Sequence, residues 1–262
     1  MDDGQQQDNG NFGLAAWGRD FILATTFLTR LRLPVATVSG LSDLRRASRL
    51  FAAVGLLIGL AGGIVYAIAF GLGLAPWLAA ALAVAATILI TGGLHEDGLA
   101  DTADGFAGGA SREDKLAIMR DSRIGTFGTL ALIFSVLLRV AALASLADID
   151  IVLAALICAH AFSRAAMTSV MHWLPNARDD GLSAAVGRPD QAAAIIGLAI
   201  ALVAALVLLQ GAGLLAMVIA AGAAAGMALL ARRQIGGQTG DVLGATEQVA
   251  QAAFLAALTL AL

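Results

Sequence analysis

Long apolar runs alternate with short polar connections along the chain, at 50–73, 77–92, 125–147, 151–171, 192–210, 213–231 and 244–262. Each approaches the ~20 residues that an α-helix needs to cross the hydrocarbon core of a bilayer. The pattern therefore predicts an all-α bundle of about seven transmembrane helices. The second run is short, and is expected to borrow length from the acidic segment that follows it. Small residues recur four apart, as at Gly55–Gly59 and Gly59–Gly63, a spacing that lets helices approach closely in lipid. Residues 14–31 hold Arg19 and Asp20 beside an apolar core of only 21–28, and read as an interfacial helix.

The polar connections differ in charge, and the difference orients the bundle. The segment before the first run carries Arg30, Arg32, Arg45, Arg46 and Arg49. The connection after the second run carries Arg112, Lys115, Arg120 and Arg123, the one after the fourth Arg178 and Arg188, and the one after the sixth Arg232 and Arg233. The connections near Pro76, Asp148 and Gly211 carry no Lys or Arg. Basic connections mark the cytoplasmic side, and seven crossings would leave the carboxyl terminus outside.

Composition agrees with a membrane class. Of 262 residues, 59% are hydrophobic and 13% charged, against about a quarter charged in soluble domains; mean hydropathy is +0.85. A formal net charge of −3 gives no electrostatic footprint for a nucleic-acid partner. A single cysteine, Cys158, lies in an apolar run and excludes an intramolecular disulfide. Residues 1–11 are acidic and Gln-rich, without the basic start of a signal peptide. Residues 1–13 read as a disordered tail before a single integral membrane catalytic domain at 14–262, and an oligomer is compatible with the sequence.

Chemistry concentrates in the polar connections. In Gly92-Gly93-Leu94-His95-Glu96-Asp97-Gly98-Leu99-Ala100-Asp101-Thr102-Ala103-Asp104-Gly105, Asp97, Asp101 and Asp104 are spaced i, i+4, i+7. On a helix they share one face, where like charges repel unless a cation sits among them. Oxygen-only ligands suit Mg²⁺, which keeps waters and binds through a few carboxylates plus substrate phosphates. Arg120 and Arg123 stand three apart just before the third run and suit phosphate oxygens. Arg139, His160 and Arg164 fall inside runs, where ionisable groups normally face the bundle interior; Arg164 is expected to face substrate and His160 to be a satisfied core residue. Residues 236–245, with Thr239 and Asp241, offer glycine-rich backbone to an anion, and Glu247 adds a further carboxylate. Carboxylates, arginines and glycine-rich backbone thus converge on one aqueous face, and these are the parts phosphoryl transfer requires.

At these residues the sequence resembles the cobalamin synthase family, the adenosylcobinamide-GDP ribazoletransferases. The matching segments are Phe27-Leu28-Thr29-Arg30-Leu31-Arg32-Leu33-Pro34, residues 92–105, residues 121–128 (Asp-Ser-Arg-Ile-Gly-Thr-Phe-Gly) and residues 237–245. The resemblance implies a bacterial cytoplasmic (inner) membrane enzyme with its active site facing the cytoplasm. It implies that adenosylcobinamide-GDP and α-ribazole, or its 5′-phosphate, give adenosylcobalamin, or its phosphate, with release of GMP. Small-molecule substrates, the lipid bilayer and Mg²⁺ are the implied partners. Combined with the residue reading, Asp97, Asp101 and Asp104 are expected to hold the metal, with Asp97, Asp104 and His95 catalytic. Arg30, Arg120, Asp121, Arg123, Arg164, Thr239 and Asp241 are expected to bind substrate. A CDP-alcohol phosphotransferase shares the acidic membrane face, but its DGxxAR opening is not matched at Asp97-Gly98-Leu99-Ala100-Asp101. A transporter places its polar groups near the midplane with internal repeats, whereas these lie at one face.

Overall fold

Each apolar run folds as a helix, and the polar turns between them pair the helices antiparallel. The computed structural model describes residues 13–33 and 41–262. All of the expected tail except Gly13 lies outside these residues, as does Pro34 of the first matching segment. In chain order the helices are α1 (Leu14–Leu28), α2 (Leu41–Ala47), α3 (Phe51–Gly71), α4 (Pro76–Thr91), α5 (Leu94–Gly108) and α6 (Arg112–Ile118). They continue with α7 (Thr126–Leu146), α8 (Ile149–Trp173), α9 (Leu182–Val186), α10 (Gln191–Leu208), α11 (Gln210–Ile235) and α12 (Gly240–Leu258). Among the described residues there is no strand, only an isolated bridge between Asn176 and Gln238.

Five segments are long and apolar enough to cross a membrane: Asp43–Gly71, α7, α8, α10 and α11. A sixth arises only if α4 and α5 count as one, and these two meet at a 91° bend. The expected count of about seven narrows to five or six, and the difference arises at two places. The second run stops short because α4 has 16 residues, about 24 Å at 1.5 Å per residue against a core of about 30 Å. At its end Gly92 and Gly93 take φ of 69° and 73°, a left-handed pair that turns the chain sharply and that only glycine adopts without strain. The acidic segment therefore does not lengthen α4; it leaves at a right angle as α5, across the end of the bundle. The last run forms α12, which carries Glu247, Gln248 and Gln251 at buried positions. It packs against α5, α7, α8 and α11, so protein rather than lipid surrounds much of it.

The outer faces of the spans are apolar without protein cover, as at Phe134 (61% exposed), Val207 (71%) and Val218 (70%). Such surface suits hydrocarbon, where only helices with internally satisfied backbones are tolerated. Trp77 and Trp173, both exposed, mark opposite ends of the bundle, as expected of aromatic residues at the two interfaces. α1 packs on α2 and α3 and its Asp20 is buried, paired with Arg46 (2.9 Å) and Arg49 (2.8 Å). Arg49 also lies over the Trp17 ring, 3.9 Å from its centroid. The expected interfacial helix is thus tied to the bundle by charge.

α3 and α8 approach most intimately along the small-residue stripe. A Cβ at Gly55 would collide with the His160 carbonyl, and one at Gly59 with the Leu156 carbonyl. Overpacking of this kind costs about 1–3 kcal/mol. Gly55→Val is accordingly expected to lower the thermal unfolding midpoint in detergent, whereas Gly71→Ala, with open space around it, leaves the midpoint unchanged.

Candidate active site

α5 is held by the residues it turns inward. His95 and Glu96 are buried, and Glu96 accepts from Arg139 Nη1 of α7 (3.1 Å) and Gln248 Nε2 of α12 (3.0 Å). Arg139 Nη1 also donates to Gln251 (3.1 Å), and Ser135 donates to Gln248 (2.9 Å). From α8, Arg164 Nη1 and Ser163 each donate to Glu247 Oε1 at 2.8 Å. Gln248 joins the two halves by donating to Glu247 Oε2 (3.0 Å). His160 packs into the same network, with Arg164 Nη1 2.9 Å from its Nδ1 and Gln251 Nε2 2.8 Å from its Nε2. Two arginines and two glutamates therefore balance inside the bundle.

This network gives one expected site residue a structural partner and supplies one missing partner. Arg164 is 1% exposed and spent on Glu247, because a charge at that depth must be neutralised where it lies. It lines neither of the cavities described below. Arg139, for which the sequence offers no partner, is paired with Glu96. His160 is the satisfied core residue expected.

With His95 and Glu96 turned in, helical periodicity turns Asp97 and Asp101 toward the aqueous face. α12 crosses α5 there through two glycines. A Cβ on Gly98 would stand 2.8 Å from the Asp241 carbonyl oxygen, and one on Gly244 3.2 Å from the His95 carbonyl. This close crossing sets Asp241, in the first turn of α12, beside Asp97 and Asp101. Thr239 caps α12 by accepting from Val242 N–H (3.3 Å), and its hydroxyl donates to Asp241 Oδ2 (3.2 Å). Burial, then the neighbouring Asp97, Asp241 and Asp104 carboxylates, push the Asp101 carboxyl up to about 7. Burial likewise raises Asp241 and lowers the His95 imidazole. Carboxylates crowded to this degree favour a cation among them. Among the described residues, however, no three His, Cys, Asp or Glu side chains are gathered tightly enough to cage a metal ion unaided.

Asp104, the third expected acid, is turned to another task. Its two oxygens accept the backbone N–H groups of Gly125 (2.7 Å) and Gly128 (2.8 Å), at the start of α7. It acts as an N-cap supplied by a neighbouring helix, since Gly125 has no side chain to provide one. A Cβ at Gly125 would press to 2.5 Å from Asp104 Oδ1, so the glycines of residues 121–128 serve this carboxylate. Neither as a metal ligand nor as a catalytic group does Asp104 meet the cavities described below.

Two cavities open on this face. One, of about 210 Å³, is lined by α1, α8, α9 and α12 residues, with His95, Asp97, Arg178, Thr239 and Asp241 along its polar side. The other, of about 650 Å³, is more open and polar, lined by Arg30, Glu96, Asp97, Asp101 and Ser122. Asp97 lines both. Arg30 is positioned by its backbone N–H, which donates to Ile90 (2.8 Å), and its side chain covers Gly92. The expected phosphate arginines Arg120 and Arg123 line neither cavity. Arg120 pairs with Asp180 (2.6 Å) and Arg123 with Asp121 (2.6 Å), and the bonded Arg123 guanidinium holds the Asp121 carboxyl down at about 2. Ser122 and Ile124, on either side of Arg123, do line the open cavity.

Arg178 is the site residue that sequence reasoning passed over, counting it only as a basic anchor. It lies 3.6 Å from Asp241 and from Asp180, and its Nη1 is buried without a hydrogen-bond partner. The following Asp179-Asp180-Gly181 was the available signal, since an anchoring charge needs no acidic turn beside it. Its loop is strapped to the α11–α12 turn by Ala177 N–H to Gln238 O and Gln238 N–H to Pro175 O (both 2.8 Å). Ser183 donates to Gln238 (2.7 Å), and Arg112 donates to the Ile235 (2.8 Å) and Ala177 carbonyls.

A family model described as cobalamin-5-phosphate synthase matches residues 20–259, which include every site residue above. Similar relatives include adenosylcobinamide-GDP ribazoletransferases of Bradyrhizobium diazoefficiens (49% identical; 90% of this chain, 91% of the relative) and Mesorhizobium japonicum (46%; 93% and 93%). One from Rhizobium etli is 46% identical, covering 93% of this chain and 97% of the relative. No solved structure matches.

Two variants test these assignments. Removing one partner of a buried ion pair costs about 3–5 kcal/mol because the other charge is stranded. Arg164→Met should sharply lower the thermal midpoint, and Arg164→Met with Glu247→Met should recover part of it; a phosphate-binding Arg164 would instead raise KM at an unchanged midpoint. Asp104→Asn keeps one acceptor of two, and is expected to cost about 1 kcal/mol of stability while sparing turnover.

Proposed function

The chain belongs to the cobalamin-5-phosphate synthase family, and on that premise we propose that the α5–α12 face is its active site, magnesium-dependent and open to the cytoplasm. The chain is a multi-pass membrane transferase of cobalamin assembly, joining adenosylcobinamide-GDP to ribazole. GMP is the leaving group. The observation that carries the site assignment is the crowding of Asp97, Asp101 and Asp241 between the two cavities.

The donor set fits magnesium. Asp97, Asp101 and Asp241 offer oxygen alone, and a loosely gathered set suits an ion that takes its remaining ligands from water and substrate phosphates. When bound, Mg²⁺ would neutralise diphosphate charge and orient it for in-line displacement. Asp97 and Asp101 would hold it, with Asp241 completing the set. Arg30, in the open cavity, would pair with a phosphate oxygen. His95, whose Nε2 has no hydrogen-bond partner and which lines the smaller cavity, would accept the proton of the attacking ribazole 3′-hydroxyl. The hydroxyl oxygen bonds to the phosphorus attached to the corrinoid side chain, and the bridging P–O bond breaks toward GMP.

Orientation is carried by the basic face. α3, α7, α10 and α12 begin there and α8 and α11 end there, together with Arg49, Arg112, Arg178, Arg188 and Arg232.

In detergent with both substrates, GMP release is expected to require Mg²⁺ and to stop with EDTA. Asp97→Asn and Asp101→Asn should each lower kcat by at least about 100-fold, since metal stabilisation is worth several kcal/mol. Near-normal turnover in both would sink the assignment. For orientation, an impermeant maleimide applied to right-side-out vesicles should label Leu72→Cys (76% exposed) and spare Glu113→Cys (77% exposed) until the vesicles are opened. The reverse pattern would overturn it.

A further inference from the structure

The two cavities have walls of different chemistry, and each suits a different substrate. The smaller is enclosed by Phe27, Phe51, Met167, Met171 and Val186 on one side, with His95, Asp97, Arg178 and Asp241 on the other. The Phe27 and Phe51 rings stack 5.8 Å apart. At about 210 Å³ the cavity is below the ~300–1,000 Å³ of drug-sized sites, large enough for a bicyclic base and too small for a corrin ring. Thioether and aromatic walls suit a flat aromatic guest. The larger cavity, about 650 Å³, is polar and open. It can receive the reactive end of a ligand whose bulk stays outside, and it holds Arg30, Asp97 and Asp101 for a diphosphate.

Resting on the reaction proposed above, we infer that the enclosed cavity is the ribazole subsite, with the base among Phe51, Met167 and Met171 and Arg178 reading the 5′-phosphate, while the open cavity takes the corrinoid diphosphate. Two buried donors or acceptors without partners mark the enclosed cavity as built for a polar guest end. His95 Nε2 and Arg178 Nη1 both lack a hydrogen-bond partner, and both residues line it. An orphaned buried polar group is costly unless a ligand satisfies it. The apolar wall takes the base and the polar wall the sugar and phosphate. Asp97, lining both cavities, stands where the acceptor hydroxyl meets the donor phosphorus. The new O–P bond forms across that shared wall, the hydroxyl proton passes to His95 Nε2, and GMP departs with the bridging oxygen through the open cavity.

The test is a split of Michaelis constants. Met171→Phe, which narrows the enclosed cavity, should raise KM for α-ribazole by about tenfold, the equivalent of about 1.4 kcal/mol, with KM for adenosylcobinamide-GDP unmoved. Arg178→Gln should raise KM for α-ribazole 5′-phosphate by about tenfold and for α-ribazole by less than about threefold, a charge-assisted contact being the one lost; Arg178→Lys should restore part of the difference. Equal effects on the two acceptors would make Arg178 merely structural, and a rise in donor KM alone would overturn the subsite assignment. Wild-type protein that released no GMP would defeat the reaction, not the subsite, which is then read by binding. Leu182, on the cavity wall and half exposed, is replaced by cysteine and alkylated with maleimide. α-Ribazole 5′-phosphate alone should protect Leu182→Cys; protection by adenosylcobinamide-GDP and not by α-ribazole 5′-phosphate would reverse the assignment.

Discussion

The buried pairs Arg164–Glu247 and Arg139–Glu96, joined through Gln248, determine how the rest of the bundle is arranged. Four charges in an apolar bundle are expensive to desolvate, and only close pairing with additional hydrogen bonds offsets that cost. The partners come from α5, α7, α8 and α12, so satisfying them fixes the roll and depth of all four helices. Apolar packing alone would not, because lipid tails compete equally well for leucine and alanine. The polar network thus supplies the specificity that the hydrophobic effect supplies in water.

The roll of α5 follows from it. Glu96 points into the network, and a helix advances about 100° per residue, so Asp97 and Asp101 emerge on the other side. The break at Gly92–Gly93 then lays that side across the bundle end instead of burying it along a span. Irregular backbone at such a place is tolerated where it lines a water-filled cavity, and Gly92 and Gly93 line the open one. The same helix therefore joins the bundle's stabilising network through Glu96 and lines the two cavities with His95, Asp97 and Asp101. Gly98 and Gly244 complete the arrangement by letting α12 bring Asp241 within reach.

Arginines divide by environment. Arg164 and Arg139 lie within the bundle and are consumed by glutamates. Arg120 and Arg123 lie outside the cavities and are consumed by aspartates nearby. Arg30 and Arg178 line cavities, and Arg178 retains an unpaired Nη1. Residue type and spacing treat all six alike. What separates them is whether a carboxylate comes within hydrogen-bonding distance of the guanidinium, and that distance is a tertiary quantity.

The sequence by itself determined the membrane class, the helical architecture, the small-residue seam of α3, and the gathering of chemistry on one basic face. Those depend on local composition and period, which the chain carries residue by residue. It also marked Asp97, Asp101, Arg30, Thr239 and Asp241, whose lining positions the fold preserves. Only the tertiary structure decided that the second run ends in a right-angle break, that α12 sits inside the bundle with its polar side covered, and that Asp104 caps α7. Arg164 binds Glu247 for the same reason: a carboxylate or guanidinium takes the nearest partner the fold presents. Residues 83 positions apart become neighbours only when α8 and α12 pack.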